Sequence, residues 1–184
     1  DKQAEISTQI DDALANVSSL AEDTILRRFR AIIMGSIRTN FYQRDSDGQP
    51  KTVTSIKLAP REIEGLPEPR PFREIFLSGP RVEGLHLRFG KVARGGLRWS
   101  DRAEDFRTEV LGLVKAQQVK NAVIVPVGSK GGFVPKKLTP AMSRDEFIAE
   151  GTDAYKLFIS SLLDITDNLD GETGIHPENV VRHE

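Results

Sequence analysis

Apolar residues recur along the chain at intervals that predict alternating helices and strands. Residues 1–40 carry them at helical spacing, and Ser19 followed by Glu22 is typical of a helix N-terminal capping box. A second capping box, Ser143 with Glu146, predicts a helix that runs to about Asn168. A third helical pattern covers residues 103–120, and its interior side is formed by Phe106, Val110, Leu113, Val114 and Gln117.

Strand patterns lie between these helices. Residues 51–58, 74–79 and 84–89 have strand character, and residues 121–127 (NAVIVPV) are apolar on both faces. A strand of the last kind is typical of a sheet that is covered on both sides. We therefore predict an α/β fold, with a mostly parallel or mixed sheet flanked by helices and preceded by an N-terminal helical segment.

Composition narrows the class of protein. The 184 residues include no cysteine, which excludes disulfides, thiolate nucleophiles and cysteine metal sites. The lack of cysteine makes the cytoplasm the expected compartment. No apolar run approaches the roughly 20 residues that span a bilayer, so we expect no membrane contact. The three histidines, which we expect at the surface, lack metal-ligand spacing, and we predict no metal site.

Charge is unevenly distributed along the chain. Residues 81–137 carry twelve Lys or Arg against five Asp or Glu, whereas residues 138–184 carry three against ten. The basic segment is compatible with a nucleic-acid or polyanion-binding module, or with a site for a small anion. Its few aromatic residues are not interleaved with the basic ones, and glycines stand beside the basic ones. This pattern favours a small anion over a nucleic acid.

Lys130 is the main candidate for chemistry. It lies in Gly128-Ser129-Lys130-Gly131-Gly132, which we predict to be a loop at the end of the apolar strand 121–127. Ligands of open α/β sheets bind beyond such strand ends, and a lysine there is suited to acid/base chemistry on a carbonyl or imine. The alternative is a surface lysine in a flexible turn. The spacing differs from that of a nucleotide P-loop.

A second glycine-rich segment, Arg94-Gly95-Gly96, repeats this arrangement. An arginine there offers a planar fork that matches a carboxylate, although a solvent-facing basic loop has the same sequence. Lys120 is predicted at the end of the helix over 103–120, where a lysine also complements the helix dipole without any function.

In their order along the chain these motifs resemble the substrate domain of glutamate dehydrogenases. The matching segments are Arg94-Gly95-Gly96-Leu97-Arg98, then Lys120-Asn121, then Pro126 and Ser129-Lys130-Gly131-Gly132. Residues 82–133, with RTNFYQ (38–43) and PREIEGLPEPRPFREIFL (60–77), look more specifically like the large bacterial NAD-specific glutamate dehydrogenases. The resemblance covers nearly the whole chain, and it implies a substrate domain over residues 41–184 behind the helical segment 1–40.

The resemblance also implies roles for individual residues. Lys130 matches the catalytic lysine, Lys120 the lysine that binds the substrate α-carboxylate, and Arg94 with Gly95 and Gly96 the segment that holds the side-chain carboxylate. Small hexameric members have lysine at the position of Arg94, and arginine there keeps the charge but changes the geometry, which weakens the case for dicarboxylate selectivity at this position. They have glycine at the position of Ser129.

Other expectations concern parts outside these motifs. The catalytic aspartate and the NAD-binding domain would follow Glu184, so we expect this chain alone to be inactive and the full-length protein to be a homo-oligomer. There are three alternatives: another amino-acid dehydrogenase of the same superfamily, the polyanion-binding module, and a scaffolding fragment. Arg94 counts against the first, which would need an uncharged residue at that position.

Overall fold

The computed structural model describes residues 2–91, 94–120 and 127–184. Its α-helices are α1 (Lys2–Leu14), α2 (Leu20–Met34), α3 (Phe106–Lys120) and α4 (Arg144–Leu163). Its strands are β1 (Ser36–Thr39), β2 (Thr54–Leu58), β3 (Arg73–Ser78), β4 (Val82–Arg88), β5 (Leu97–Trp99), β6 (Ser129–Pro135), β7 (Asn168–Asp170), β8 (Thr173–Ile175) and β9 (Val181–Arg182).

The N-terminal helical segment is confirmed, but it ends earlier than the sequence pattern predicts. Ser19 caps α2 by accepting a hydrogen bond from the Glu22 backbone N–H. The helix stops at Gly35, where a Cβ would lie 2.3 Å from Ile63 Cγ1, and residues 36–39 turn into strand β1. This strand was predicted as helix, because pairing with β2 and β9 is not visible in local spacing.

Among the described residues, seven strands form one mixed sheet in the order β5-β6-β4-β3-β2-β1-β9. Only β5 and β6 run parallel among the described pairs, and the other neighbours run antiparallel. The predicted α/β class with a mixed sheet is therefore confirmed, and most of the described strand pairs are antiparallel.

Helices cover both faces of this sheet. On one face α3 packs its Val110 and Val114 against Leu85 and Leu87 of β4. On the other face α4 packs Phe158 against a cluster that includes Phe133 of β6. Alternate residues of β4 and β6 thus serve two separate cores, as the two-residue period of a strand requires.

The segment around Lys130 is a strand rather than a loop. Residues 121–126 of the predicted apolar strand lie outside the described residues, and Ser129–Pro135 forms β6 in the interior of the sheet. Its glycines serve packing: a Cβ on Gly131 would lie 2.4 Å from Leu97 Cδ2, and one on Gly132 would lie 2.5 Å from Val110 Cγ2. The loop prediction was wrong because glycine was interpreted as a sign of flexibility.

The predicted capping box of α4 is confirmed. Ser143 Oγ accepts from the Glu146 backbone N–H, and the Glu146 carboxylate accepts from the Ser143 backbone N–H at 2.8 Å. The helix ends at Leu163, five residues before the predicted end, and Asn168 begins the β7–β8 hairpin.

Candidate active site

The two glycine-rich basic segments lie side by side. Arg94 and Gly128 form a parallel bridge, and Leu97 of β5 pairs with Gly131 of β6. The Ser129 N–H donates to the Arg94 carbonyl and the Gly131 N–H to the Gly96 carbonyl, each at 3.2 Å. Motifs that are more than thirty residues apart in sequence therefore form one continuous surface.

Gly95 makes the close approach of these segments possible. A Cβ at this position would lie 1.5 Å from the Ser129 carbonyl oxygen, which is far inside van der Waals contact. Any other residue would push the two segments apart, so the glycine is required by the pairing itself.

Lys130 projects from the sheet face that α3 covers. It pairs in register with Leu87, which belongs to the core beneath α3, and its side chain is half-buried. A Cβ on Gly96 would lie 3.5 Å from Lys130 Nζ, so the ammonium group rests against the glycine backbone of the other motif. Lys130 forms no ion pair or hydrogen bond through its side chain with any residue that the structure describes.

Arg94 lies beside Gly128, at the start of the strand that carries Lys130. The Arg94 side chain is exposed and forms no ion pair within the described part of the chain, while its carbonyl accepts a 2.9 Å hydrogen bond from Gln117 Nε2. Lys120 is the last residue of α3, as predicted from the sequence. The geometry thus brings Arg94, Gly95, Gly96 and Lys130 together, whereas the side chain of Lys120 lies outside what is described.

Other arginines of the basic segment have structural partners. Arg98 pairs with Glu109 at 2.6 Å, Arg102 with Asp105, and Arg107 with the buried Glu74 at 2.8 Å. Ser100 also donates to Glu109, and this hydrogen bond together with the Arg98 guanidinium holds the pKa of Glu109 below its ordinary value. Much of the charge that suggested a polyanion site is therefore neutralised within the fold.

Two supporting residues were assigned no role at the site from the sequence. Gln117 ties α3 to the Arg94 segment, and Glu109 ties α3 to the end of β5. Gln117 had a visible signal, because it is the polar member of an otherwise apolar helix side. Glu109 had none, since an acidic residue near the start of a helix is ordinary.

His86 departs from the expectation that all three histidines lie at the surface. It is half-buried on β4, and burial lowers the pKa of its imidazole. Within residues 2–91, 94–120 and 127–184, no group of three or more His, Cys, Asp or Glu side chains is arranged to hold a metal ion. None of the helices in this part of the chain has the length and apolar character that a membrane crossing requires.

A mixed sheet with helices on both faces and two paired basic glycine motifs defines the class of protein, an α/β domain with a preformed basic surface. Comparison with known families identifies the particular family. The model of the bacterial NAD-glutamate dehydrogenase catalytic domain matches residues 9–184, and the chain belongs to this family.

Named relatives agree with this assignment. The chain is 61% identical over its whole length to the NAD-specific glutamate dehydrogenase of Pseudomonas aeruginosa. It is 55% identical over 98% of its length to the enzyme of that name from Halomonas elongata, and 55% identical over 90% to that of Mycobacterium tuberculosis. The chain spans about 11% of the length of each of these relatives.

Proposed function

We propose that this chain is the substrate-binding part of an NAD-dependent glutamate dehydrogenase. The reaction converts L-glutamate, NAD⁺ and water into 2-oxoglutarate, ammonium, NADH and a proton. One observation carries the proposal: Lys130 Nζ rests against Gly96 of the Arg94-Gly95-Gly96 motif, in a chain of this catalytic family. The names of these relatives supply the proposed substrate and cofactor.

Lys130 is proposed as the catalytic residue. Its half-buried ammonium group has no competing carboxylate among the described residues, so it is available to a bound substrate. In this role its neutral amine form accepts a proton from the water that attacks the iminium carbon, and its ammonium form polarises the reacting carbon. Positioned proton transfer of this kind typically contributes about 10² to 10⁴ in rate.

Arg94 and Lys120 are proposed to hold the two carboxylates of glutamate. The exposed Arg94 would bind the side-chain carboxylate through its planar guanidinium, and Lys120 would bind the α-carboxylate. Gly95 and Gly96 let the substrate approach the backbone closely. Two fixed carboxylates leave the α-carbon little freedom, which supplies the orientation that the reaction needs.

NAD does not fit the residues of this chain. The sequence contains no Gly-x-Gly-x-x-Gly fingerprint, the turn that holds a dinucleotide pyrophosphate at the start of a helix. We therefore assign NAD to a cofactor domain beyond Glu184, and residues 41–184 to the substrate domain. A cytoplasmic homo-oligomer is part of the same proposal.

The alternatives are less well supported. Another amino-acid dehydrogenase of the superfamily would need an uncharged residue in place of Arg94. A polyanion-binding module would need a free basic face, yet Arg98, Arg102 and Arg107 are paired with carboxylates. Binding through such paired arginines would first break those ion pairs.

The test is NAD-linked turnover of L-glutamate by the full-length protein. We expect Lys130→Ala to lower kcat by about 10² or more, because the proton-transfer group is removed. Lys115→Ala is the matched control, since Lys115 is an exposed lysine of the neighbouring helix α3. This control is expected to keep the wild-type rate.

Each result has a defined meaning. Normal turnover by a folded Lys130→Ala variant would show that Lys130 is not required for the reaction and would contradict its assignment as the catalytic residue. If the wild-type protein does not oxidise glutamate but oxidises a different amino acid, the superfamily assignment stands and the proposal of glutamate as the substrate is wrong.

A further inference from the structure

A cavity on the opposite face of the sheet collects basic side chains from four adjacent strands. It has a volume of about 380 Å³, and Leu162 and Ile165 close it on the α4 side. Its cations are Arg38 of β1, Lys57 of β2, Arg73 of β3 and Arg88 of β4. None of these residues belongs to the Arg94 and Lys130 surface.

Strand register places these cations directly opposite one another. Arg38 pairs with Lys57 across β1 and β2, and Arg73 pairs with Arg88 across β3 and β4. Like charges in directly opposite positions of an antiparallel pair are destabilising. Two such pairs on one face of one sheet therefore need negative charge nearby.

The first pair has that compensation within the chain. Arg38 binds Asp167 at 2.7 Å and also contacts Glu184, and Lys57 binds Glu184 at 3.0 Å. Two carboxylates thus neutralise two cations. His176 shares Asp167 at 3.0 Å and supplies no further negative charge.

The second pair has no carboxylate partner among the described residues. Arg73 lies over the Phe72 ring at 4.3 Å and donates one N–H to the Phe72 carbonyl, while Arg88 donates one N–H to the Lys91 carbonyl at 3.4 Å. Each guanidinium has five N–H donors, so most of them remain available. Burial, with the nearby Arg73 and Arg38, lowers the pKa of Arg88 against the opposing effect of the Glu184 carboxylate, which forms no ion pair with Arg88.

We infer that Arg73 and Arg88 form a binding site for the phosphate or carboxylate group of a small organic anion. The paired guanidinium groups supply planar, bidentate donors that match such an oxyanion. Ile75, between the basic positions, and Leu162 and Ile165 offer apolar walls to the rest of the molecule. The volume is within the range of small-molecule sites.

This site is separate from the proposed reaction. His86 and Lys130 are close in the sheet, but the side chain of Lys130 shares the face of Leu87, whereas His86 lines the cavity on the other face. A ligand in the cavity would therefore not occupy the substrate position. Failure of the proposed glutamate chemistry would leave this inference intact.

The test is protection of Arg73 from an arginine-specific dicarbonyl reagent, mapped by mass spectrometry on the full-length protein. Inorganic phosphate is the probe, at constant ionic strength set with sodium chloride. Labelling of Arg73 is expected to fall about fivefold at a phosphate concentration of about four times Kd. At that concentration the fraction of sites without phosphate is lowered by a factor of one plus the ratio of phosphate concentration to Kd. Arg27, an exposed arginine of α2, is the control and should be labelled equally throughout.

The variant Arg88→Gln completes the test. It removes one of the two guanidinium groups of the proposed site, so phosphate should no longer protect Arg73. Arg27→Gln should leave the protection unchanged. Equal labelling of Arg73 with and without phosphate would overturn the inference, and so would protection that persists in Arg88→Gln. An Arg73 that is unreactive without phosphate would also overturn it, because another part of the full-length protein would then fill the cavity.

Discussion

Gly95 and Gly96 are adjacent, but different contacts constrain them. At Gly95 the constraint is backbone packing, since a Cβ would meet the Ser129 carbonyl oxygen at 1.5 Å. At Gly96 a Cβ would lie at ordinary contact distance, 3.5 Å, from Lys130 Nζ. The first glycine therefore holds the two motifs together, and the second keeps space beside the proposed catalytic amine.

This difference predicts opposite outcomes for two alanine variants. Gly95→Ala is expected to lower the free energy of unfolding by about 1–3 kcal/mol, because the β5–β6 pairing must open. Gly96→Ala should change it by less than about 1 kcal/mol, but should lower glutamate turnover in the full-length protein by placing a methyl group against Lys130. Urea denaturation and kcat measurements separate the two effects.

Equal stability of the two variants would contradict the close pairing of the Arg94 and Ser129 segments. Full turnover by Gly96→Ala would instead show that the space beside Lys130 has no role in the reaction.

At the scale of elements, Trp99 docks strand β5 on helix α4. Its ring stacks on Phe147 with centroids 5.4 Å apart and an angle of 15° between the planes. Gly151 makes room for it, since a Cβ there would lie 1.9 Å from Trp99 Cη2. The edge of the sheet that carries the Arg94 motif is thus fixed to a helix on the face opposite Lys130.

Two mid-helix glycines provide a matched test of this contact. Gly112 in α3 has nothing within 4 Å of an added Cβ, so Gly112→Ala should raise the free energy of unfolding by up to about 1 kcal/mol through helix propensity. Gly151→Ala gains the same propensity but must displace Trp99, so we expect no net stabilisation. Trp99 is the single tryptophan, and its fluorescence should change only in Gly151→Ala.

A stabilised Gly151→Ala variant with wild-type fluorescence would show that Trp99 does not pack against α4. If Gly112→Ala did not change the free energy of unfolding, the expected gain from helix propensity would be absent, and the two glycine variants could not be compared.

At the scale of the whole molecule, Arg38 ties the C-terminal part of the chain to the N-terminal part. Its buried guanidinium donates to the Ile165 carbonyl at 3.0 Å and to both carboxylate oxygens of Asp167. Strand β9 then pairs with β1 and ends the sheet. Residues more than a hundred positions apart therefore close the fold around one side chain.

The Asp167 contact predicts acid sensitivity. Hydrogen bonds from Arg38 and His176 hold the pKa of Asp167 well below its ordinary value. A lowered folded-state pKa stabilises the fold above the ordinary carboxyl value, and this contribution is lost as pH falls towards the folded-state pKa. Asp167→Asn should lower the free energy of unfolding by about 1–3 kcal/mol at pH 7.

The same variant should also have a flatter stability profile between about pH 5 and pH 2, which urea unfolding over that range would measure. Asp170→Asn is the control, because Asp170 is exposed on β7 and forms no ion pair with a described residue. An Asp167→Asn profile as steep as that of the control would show that this carboxylate does not contribute.

Local chemistry explains what could be predicted from the sequence. Ser143 and Glu146 are three residues apart and cap one helix end, so their role is visible without any tertiary contact. The residue types of the two basic glycine motifs, and the family that they indicate, are likewise properties of short segments. Glycine was the main source of error, since Gly131 and Gly132 serve packing in β6 and not the flexibility of a loop.

The sequence by itself determined the N-terminal caps of α2 and α4, the α/β class and the family of the chain, because each depends on neighbours in sequence or on an ordered set of motifs. Only the tertiary structure decided that Lys130 stands on an interior strand against Gly96, and that Arg73 and Arg88 face each other with no ion-paired carboxylate among the described residues. Strand register sets both arrangements, and register depends on pairing between distant segments that no local pattern records.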